Sequence, residues 1–131
     1  MLFRSDTLYG RQNDDILHGD AGSDTLYGGD GNDSLNGGAD IDVLNGGNGN
    51  DTFTFAAGEA NGDTIQDFDG LGAAAGDSLV FSGYGLAVDG ASFIQLDATH
   101  WQINSADGTI HDVITLANGA SVDASDYVFG P

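Results

Sequence analysis

The chain has 131 residues, 21 acidic side chains against 2 basic ones, and a formal net charge of −19. So negative a molecule repels nucleic acid and anionic membrane surfaces and attracts cations. It has no cysteine, hence no disulfide framework and no thiolate metal site. No apolar run is long enough to span a membrane.

The opening residues, Met1-Leu2-Phe3-Arg4-Ser5, lack the charged region and apolar stretch of a secretory leader. Absence of cysteine does not exclude export, because bound cations can staple a small extracellular domain as disulfides do. The acids are almost all one kind: Glu59 is the only Glu, and the rest are Asp. A short carboxylate is wanted where a tight loop must reach a metal, whereas general surface acidity would mix the two.

A period of nine then runs through residues 1–54. Gly10, Gly19, Gly28, Gly37 and Gly46 follow it, as do Asp6, Asp15, Asp24, Asp33, Asp42 and Asp51. Leu8, Leu17, Leu26, Leu35, Leu44 and Phe53 share it. The unit reads G-G-x-G-x-D-x-U-x, with U large and apolar. Its cleanest copies begin at Gly28-Gly29-Asp30-Gly31 and at Gly46-Gly47-Asn48-Gly49. The first six positions, rich in Gly and Asn, predict a turn, since these residues tolerate positive φ. The last three predict a short strand with position eight inward and positions seven and nine outward.

This pattern resembles the RTX family of calcium-binding repeats, whose nonapeptide is a known parallel β-helix unit. The resemblance implies an all-β fold: a right-handed parallel β-roll of nonapeptide repeats, two units per coil, closed by a C-terminal β cap. One large side chain per nine residues is a small apolar gain against the entropy of ordering so much Gly. Stacking the turns also gathers carboxylates. A divalent hard cation can supply the deficit, and Ca²⁺, with six to eight oxygen ligands in flexible geometry, suits better than Mg²⁺. Zinc would want clustered His or Cys; His18 stands alone at an outward position and reads as solvated.

The expected ligands are position-six carboxylates and turn carbonyls bared by glycine. They are Asp6, Asp15, Asp24, Asp33, Asp42 and Asp51, with Gly10, Gly19, Gly28, Gly29, Gly31, Gly37, Gly46, Gly47 and Gly49. Each ion would lie between turns two units apart. One edge would join Asp15, Asp33 and Asp51; the other would join Asp6, Asp24 and Asp42. Two degenerate turns follow, at 58–65 and 72–79, so Asp63 would continue the Asp42 edge and Asp77 the Asp51 edge. Asp67 and Asp69 read as turn or hydrogen-bonding residues. Departures from the unit at Met1, Arg11, Gln12, Asn13, Asp40 and Ile41 should leave the N-terminal sites weakest. Three to six ions are expected.

The period vanishes near residue 78. The roll is therefore placed at 1–77 and the β cap at 78–131, with strands predicted at 78–81, 92–96, 100–104 and 110–116. Asp107-Gly108 is a hairpin signal. Trp101, Tyr84 and Phe93 read as cap core, or else as a sugar platform. His100 and His111 come without a Ser or Cys nucleophile motif, paired Glu or H-E-x-x-H, so no enzyme is expected. The ending Asp126-Tyr127-Val128-Phe129 is similar to that of many type I secretion substrates, and a plain final strand explains it equally well.

The resemblance implies a secreted, extracellular calcium module that folds on binding Ca²⁺ and supports export of a larger protein. Its partners would be an N-terminal functional domain and a type I secretion apparatus. The alternative is a polysaccharide-binding accessory module of a secreted alginate epimerase or lyase.

Overall fold

The computed structural model describes residues 4–70 and 76–131. Part of the degenerate turn at 72–79, residues 72–75, lies outside the described residues, as does Met1.

The repeat period becomes a coil of two units. Thr7–Gln12 (β1), Thr25–Asp30 (β3) and Val43–Asn48 (β5) pair in parallel in one sheet, and Thr64–Ile65 (β7) follows them. Ile16–His18 (β2), Ser34–Asn36 (β4), Thr52–Ala56 (β6) and Ser78–Ser82 (β8) pair in parallel in the other. The register steps by two repeats: Leu8 faces Leu26, and Leu26 faces Leu44. Two thin sheets thus face each other as a parallel β-roll.

Strand alternation fills the space between the sheets. Leu26, Leu35, Leu44, Phe53, Ile65 and Leu79 are fully buried. Their outward neighbours are mostly Thr, Ser, Tyr and Asn, while Ile16 is an outward β-former left exposed. The acids stay in turns and loops, apart from Asp30 at the end of β3, Asp89 in a short 3-10 helix and the inward Asp112.

The second half joins the same two sheets. His111–Leu116 (β11) lies parallel to β7, and His100–Asn104 (β10) and Ser92–Gln95 (β9) add antiparallel strands. The first sheet therefore runs β1-β3-β5-β7-β11-β10-β9. The turn at Asp107-Gly108 joins β10 to β11, and Gly108 takes φ 72° there. Tyr127–Gly130 (β12) completes the other sheet, parallel to β8; the chain's ending is a final strand with Phe129 buried.

An aromatic cluster fills the second half and reaches the roll through Phe81 of β8, which stacks on Phe55 at 6.2 Å between ring centroids. Phe81 also meets Phe93 at 4.9 Å and Phe129 at 5.1 Å. Phe93 stacks on Trp101 at 4.9 Å. Trp101, Phe93 and Tyr84 are all buried, so these rings form core and offer no flat surface to a sugar. His100 pairs across the hairpin with Thr115, and His111 with Asn104. The two imidazoles therefore stand at opposite ends of one strand pair and do not act on a common atom.

Candidate metal centre

The turns stack into two edges. On one lie the turns 10–15, 28–33 and 46–51; on the other lie 19–24 and 37–42, with Asp6 before them. From Asp24 onward each position-six Asp uses Oδ1 to accept the backbone N–H of the Asp one coil earlier. Asp15 N–H donates to Asp33 at 2.8 Å, and Asp33 N–H to Asp51 at 2.8 Å. On the other edge Asp6 N–H donates to Asp24 at 2.7 Å, and Asp24 N–H to Asp42 at 2.8 Å. Asp63 and Asp77 end the two ladders, accepting from Asp42 and Asp51 at 2.9 Å each. The sequence separations there stretch from 18 to 21 and 26 residues, yet both ladders keep their phase.

The second carboxylate oxygen has no such use. Oδ2 of Asp15, Asp24, Asp33, Asp42 and Asp51 is buried and has no hydrogen-bond partner. An orphan carboxylate oxygen away from water is costly unless a cation meets it. Each orphan lies beside the position-one glycine of its own turn, and those of Asp15, Asp24 and Asp33 lie there together with a carbonyl of the next coil. A Cβ added at Gly10 would stand 2.6 Å from both Asp15 Oδ2 and the Gly28 carbonyl oxygen. The same crowding recurs at Gly19, under Asp24 Oδ2 and the Gly37 carbonyl, and at Gly28, under Asp33 Oδ2 and the Gly46 carbonyl. Glycine at position one thus lets two oxygens converge where any other residue would put carbon.

This donor set fits a hard cation. Among the described residues no three His, Asp or Glu side chains converge. A bound ion would therefore draw much of its shell from backbone carbonyls, with carboxylates one or two at a time. Such all-oxygen coordination suits Ca²⁺. Negative charge alone is resisted here. Burial pushes Asp42 up to about 6 and Asp63 up to about 8, and nearby carboxylates add to both. Burial likewise pushes Asp77 up to about 6 and raises Asp51.

The expected ligands are not equivalent. Asp24, Asp33, Asp42, Asp51 and Asp63 are buried. Asp15 is half-buried and Asp6 is exposed; among the described residues no backbone N–H donates to either carboxylate. Asp77 has both oxygens engaged, because Asp69 N–H donates to its Oδ2 at 2.9 Å. Gly29, Gly31, Gly47 and Gly49 hold positive φ, the conformation that spares glycine alone. A Cβ at Gly29 would run into the Arg11 backbone, and one at Gly31 into Asn13. Arg11, Asn13 and Asp40 take positive φ of 88°, 75° and 81° without being glycine.

Three contributions escape the motif. Position five carries a second ladder on one edge: Asn32 N–H donates to Asp14 at 2.7 Å, and Asn50 N–H to Asn32 at 2.9 Å. Its signal was there to read, since Asp14, Asn32 and Asn50 share the phase, while the other edge has Ser23 and Ile41. Asp67 accepts Gly46 N–H at 2.9 Å and Gly47 N–H at 2.7 Å, a carboxylate outside the repeat phase that holds the start of the turn 46–51. Asp112 is buried and accepts Tyr84 Oη–H at 2.5 Å and Gly58 N–H at 2.8 Å, tying roll to cap.

The comparisons agree with this geometry. The model of the RTX calcium-binding nonapeptide repeat (4 copies) matches residues 4–35 and 27–59. No curated protein matches significantly. Among solved structures, the chain is similar to the AlgE6R3 subunit from the Azotobacter vinelandii mannuronan C5-epimerase. Identity is 33%, coverage is 95% of this chain and 77% of that one, and the TM-score is 0.65. It is also similar to the AlgE6R2 subunit of the same enzyme, at 26% identity, with 96% and 92% covered and a TM-score of 0.52.

Proposed function

Because the chain belongs to the RTX family of calcium-binding repeats, we propose that it is a non-catalytic module whose roll is completed by Ca²⁺ held between successive turns. The observation that carries this reading is the row of five buried, unpartnered Asp Oδ2 atoms. Ca²⁺ supplies a divalent centre that accepts several oxygens at once. Asp15, Asp24, Asp33, Asp42 and Asp51 would give carboxylate oxygens. Gly28, Gly37 and Gly46 would give the carbonyls that converge with them, and Gly10, Gly19, Gly29, Gly31, Gly47 and Gly49 would keep the turns open. Asp63 would serve the last turn of its edge. Asp6 and Asp77 are the weakest members of the set, one exposed and the other with both oxygens occupied.

Folding and binding are then one event. Where calcium is scarce, repulsion among buried carboxylates keeps residues 1–77 open, and the chain is fit for export. Where calcium is plentiful, the roll closes on its cap at 78–131. Extracellular modules bind Ca²⁺ with Kd on the order of 10⁻⁴–10⁻³ M, so millimolar calcium outside a cell suffices. We infer a secreted, extracellular setting, with an N-terminal functional domain and a type I secretion apparatus as partners.

The test joins titration calorimetry with far-UV circular dichroism. Three to six ions per chain are expected, with strand signal gained on calcium addition and lost in excess EGTA. An identical spectrum with and without EGTA would overturn the proposal. The likeness to epimerase subunits favours a second reading, a polysaccharide-binding accessory role. The net charge of −19 opposes an anionic polymer.

A further inference from the structure

We propose that the Asn-Gly pairs of this chain are sites of spontaneous backbone modification that the closed roll holds in check, so that a chain left without calcium loses with time its capacity to bind it. The inference rests on the reading that Ca²⁺ closes the roll.

The pairs are Asn36-Gly37, Asn45-Gly46, Asn48-Gly49, Asn61-Gly62 and Asn118-Gly119. In an open chain no side chain on the glycine hinders its peptide nitrogen. That nitrogen can attack the Asn Cγ. A C–N bond forms, and the side-chain amide nitrogen leaves as ammonia with the proton that the peptide nitrogen gives up. Water, the one co-reactant, then opens the cyclic imide at either of its carbonyls. Opening at Cγ leaves an aspartate. Opening at the main-chain carbonyl leaves an isoaspartate, whose main chain runs through the former side chain and is longer by one methylene.

The fold opposes ring closure, which needs the Asn Cγ to swing over the next peptide nitrogen. Asn36 ends β4, and Asn45 and Asn48 lie in β5. An extended strand holds the side chain out from the sheet and the following N–H within it. The Asn36 carbonyl accepts Gly19 N–H at 3.0 Å, which fixes its peptide plane. Gly46 N–H is held by Asp67 at 2.9 Å, and Asn48 Nδ2 donates to Asp30 at 2.8 Å. Strand β11 of the cap clamps the fourth pair. Asn61 Oδ1 accepts Val113 N–H at 3.1 Å, and Gly62 N–H donates to the Val113 carbonyl at 2.8 Å. At the fifth, Asn118 Nδ2 donates to the Phe68 carbonyl at 2.7 Å and Gly119 N–H to the Leu116 carbonyl at 3.0 Å.

Two of the pairs abut the metal set. Asn36 and Asn45 stand directly before Gly37 and Gly46, whose carbonyl oxygens converge with Oδ2 of Asp24 and Asp33. An extra methylene there displaces the carbonyl. It also breaks the parallel register in which Asn45 faces Tyr27 and Gly47 faces Gly29. At Asn48 either product sets a carboxylate near Asp30 in place of a hydrogen-bond donor. Calcium added afterwards reverses none of these changes.

The experiment ages fresh full-length chain at pH 8 in millimolar calcium or in excess EGTA, with peptide mapping by mass spectrometry at intervals. Calcium is then added to the EGTA samples, and compact chains are separated from expanded ones by size exclusion. Modification at Asn36, Asn45, Asn48 and Asn61 should run at least roughly tenfold faster in EGTA, because it follows the fraction of open chain. Isoaspartate at positions 36 and 45 should be confined to chains that calcium no longer compacts. Equal rates in calcium and EGTA would overturn the proposal. So would Asn-Gly pairs that stay intact in EGTA, or isoaspartate at positions 36 and 45 in the compact fraction. A fresh chain whose circular dichroism ignores calcium would instead overturn the reading of the site, and this proposal with it.

Discussion

Replacing Asp33 by Asn is expected to lower calcium affinity at least tenfold while making the calcium-free chain easier to fold. Asp33 is buried in the middle of its edge, with neighbours in the ladder on both sides. Its Oδ1 accepts Asp15 N–H at 2.8 Å, and its Oδ2 has no partner. Asn keeps an acceptor for that N–H but removes a buried charge and the orphan oxygen. Asp33→Ala removes the acceptor as well, and the unsatisfied N–H should cost about 1–3 kcal/mol in either state. The control is Asp89→Asn, which deletes the same formal charge at an exposed position. Calorimetry and urea unfolding of the three variants separate the terms. Equal weakening by Asp33→Asn and Asp89→Asn would mean that calcium binds as a diffuse counterion and not at built sites.

Acid is expected to stabilise the metal-free fold. A carboxyl whose folded value is raised holds a proton that the unfolded chain has released, so the folded state binds more protons over that interval. Burial first, then neighbouring carboxylates, push Asp42 up to about 6 and Asp63 up to about 8 from an ordinary 3.8, and burial pushes Asp77 up to about 6. The contribution is fully present below the ordinary value. It falls as pH rises through 6 and is gone above 8. In EGTA, strand signal and thermal midpoint should therefore be higher at pH 5 than at pH 8. Exposed acids repel in the same direction, but salt screens them and spares the buried ones. The trend should survive in 0.5 M salt, and Asp63→Asn should flatten its upper part. With calcium bound the sign reverses, since protons compete for the same oxygens. Metal-free stability that is flat or rising from pH 5 to 8 would contradict the account.

The roll was legible because its period is written in side chains that have no other use for such regularity. An inward Leu every nine residues, a glycine that admits two oxygens and an Asp that reaches the coil before it each leave a one-residue mark. The cap strands were legible by alternation, with ends within a residue of those found. How they attach was not. Pairing of β11 with β7 in parallel, Thr115 opposite Thr64, depends on burial across some fifty residues and leaves no local signal. The metal set was only half legible for a related reason. The motif marks Asp77 and Asp33 alike, yet Asp69 N–H occupies the second oxygen of Asp77, and Asp67 holds the start of the turn 46–51 from outside the repeat phase. Both depend on contacts of Asp67 and Asp69 that the nine-residue period does not encode.

The most direct measurement is a crystal structure of the calcium-loaded chain. Ion density is expected on each turn edge, within coordination distance of Oδ2 of Asp24, Asp33, Asp42 and Asp51 and of the carbonyls that face them. Well-ordered turns in which those oxygens meet only water or protein donors, with no ion beside them, would contradict it.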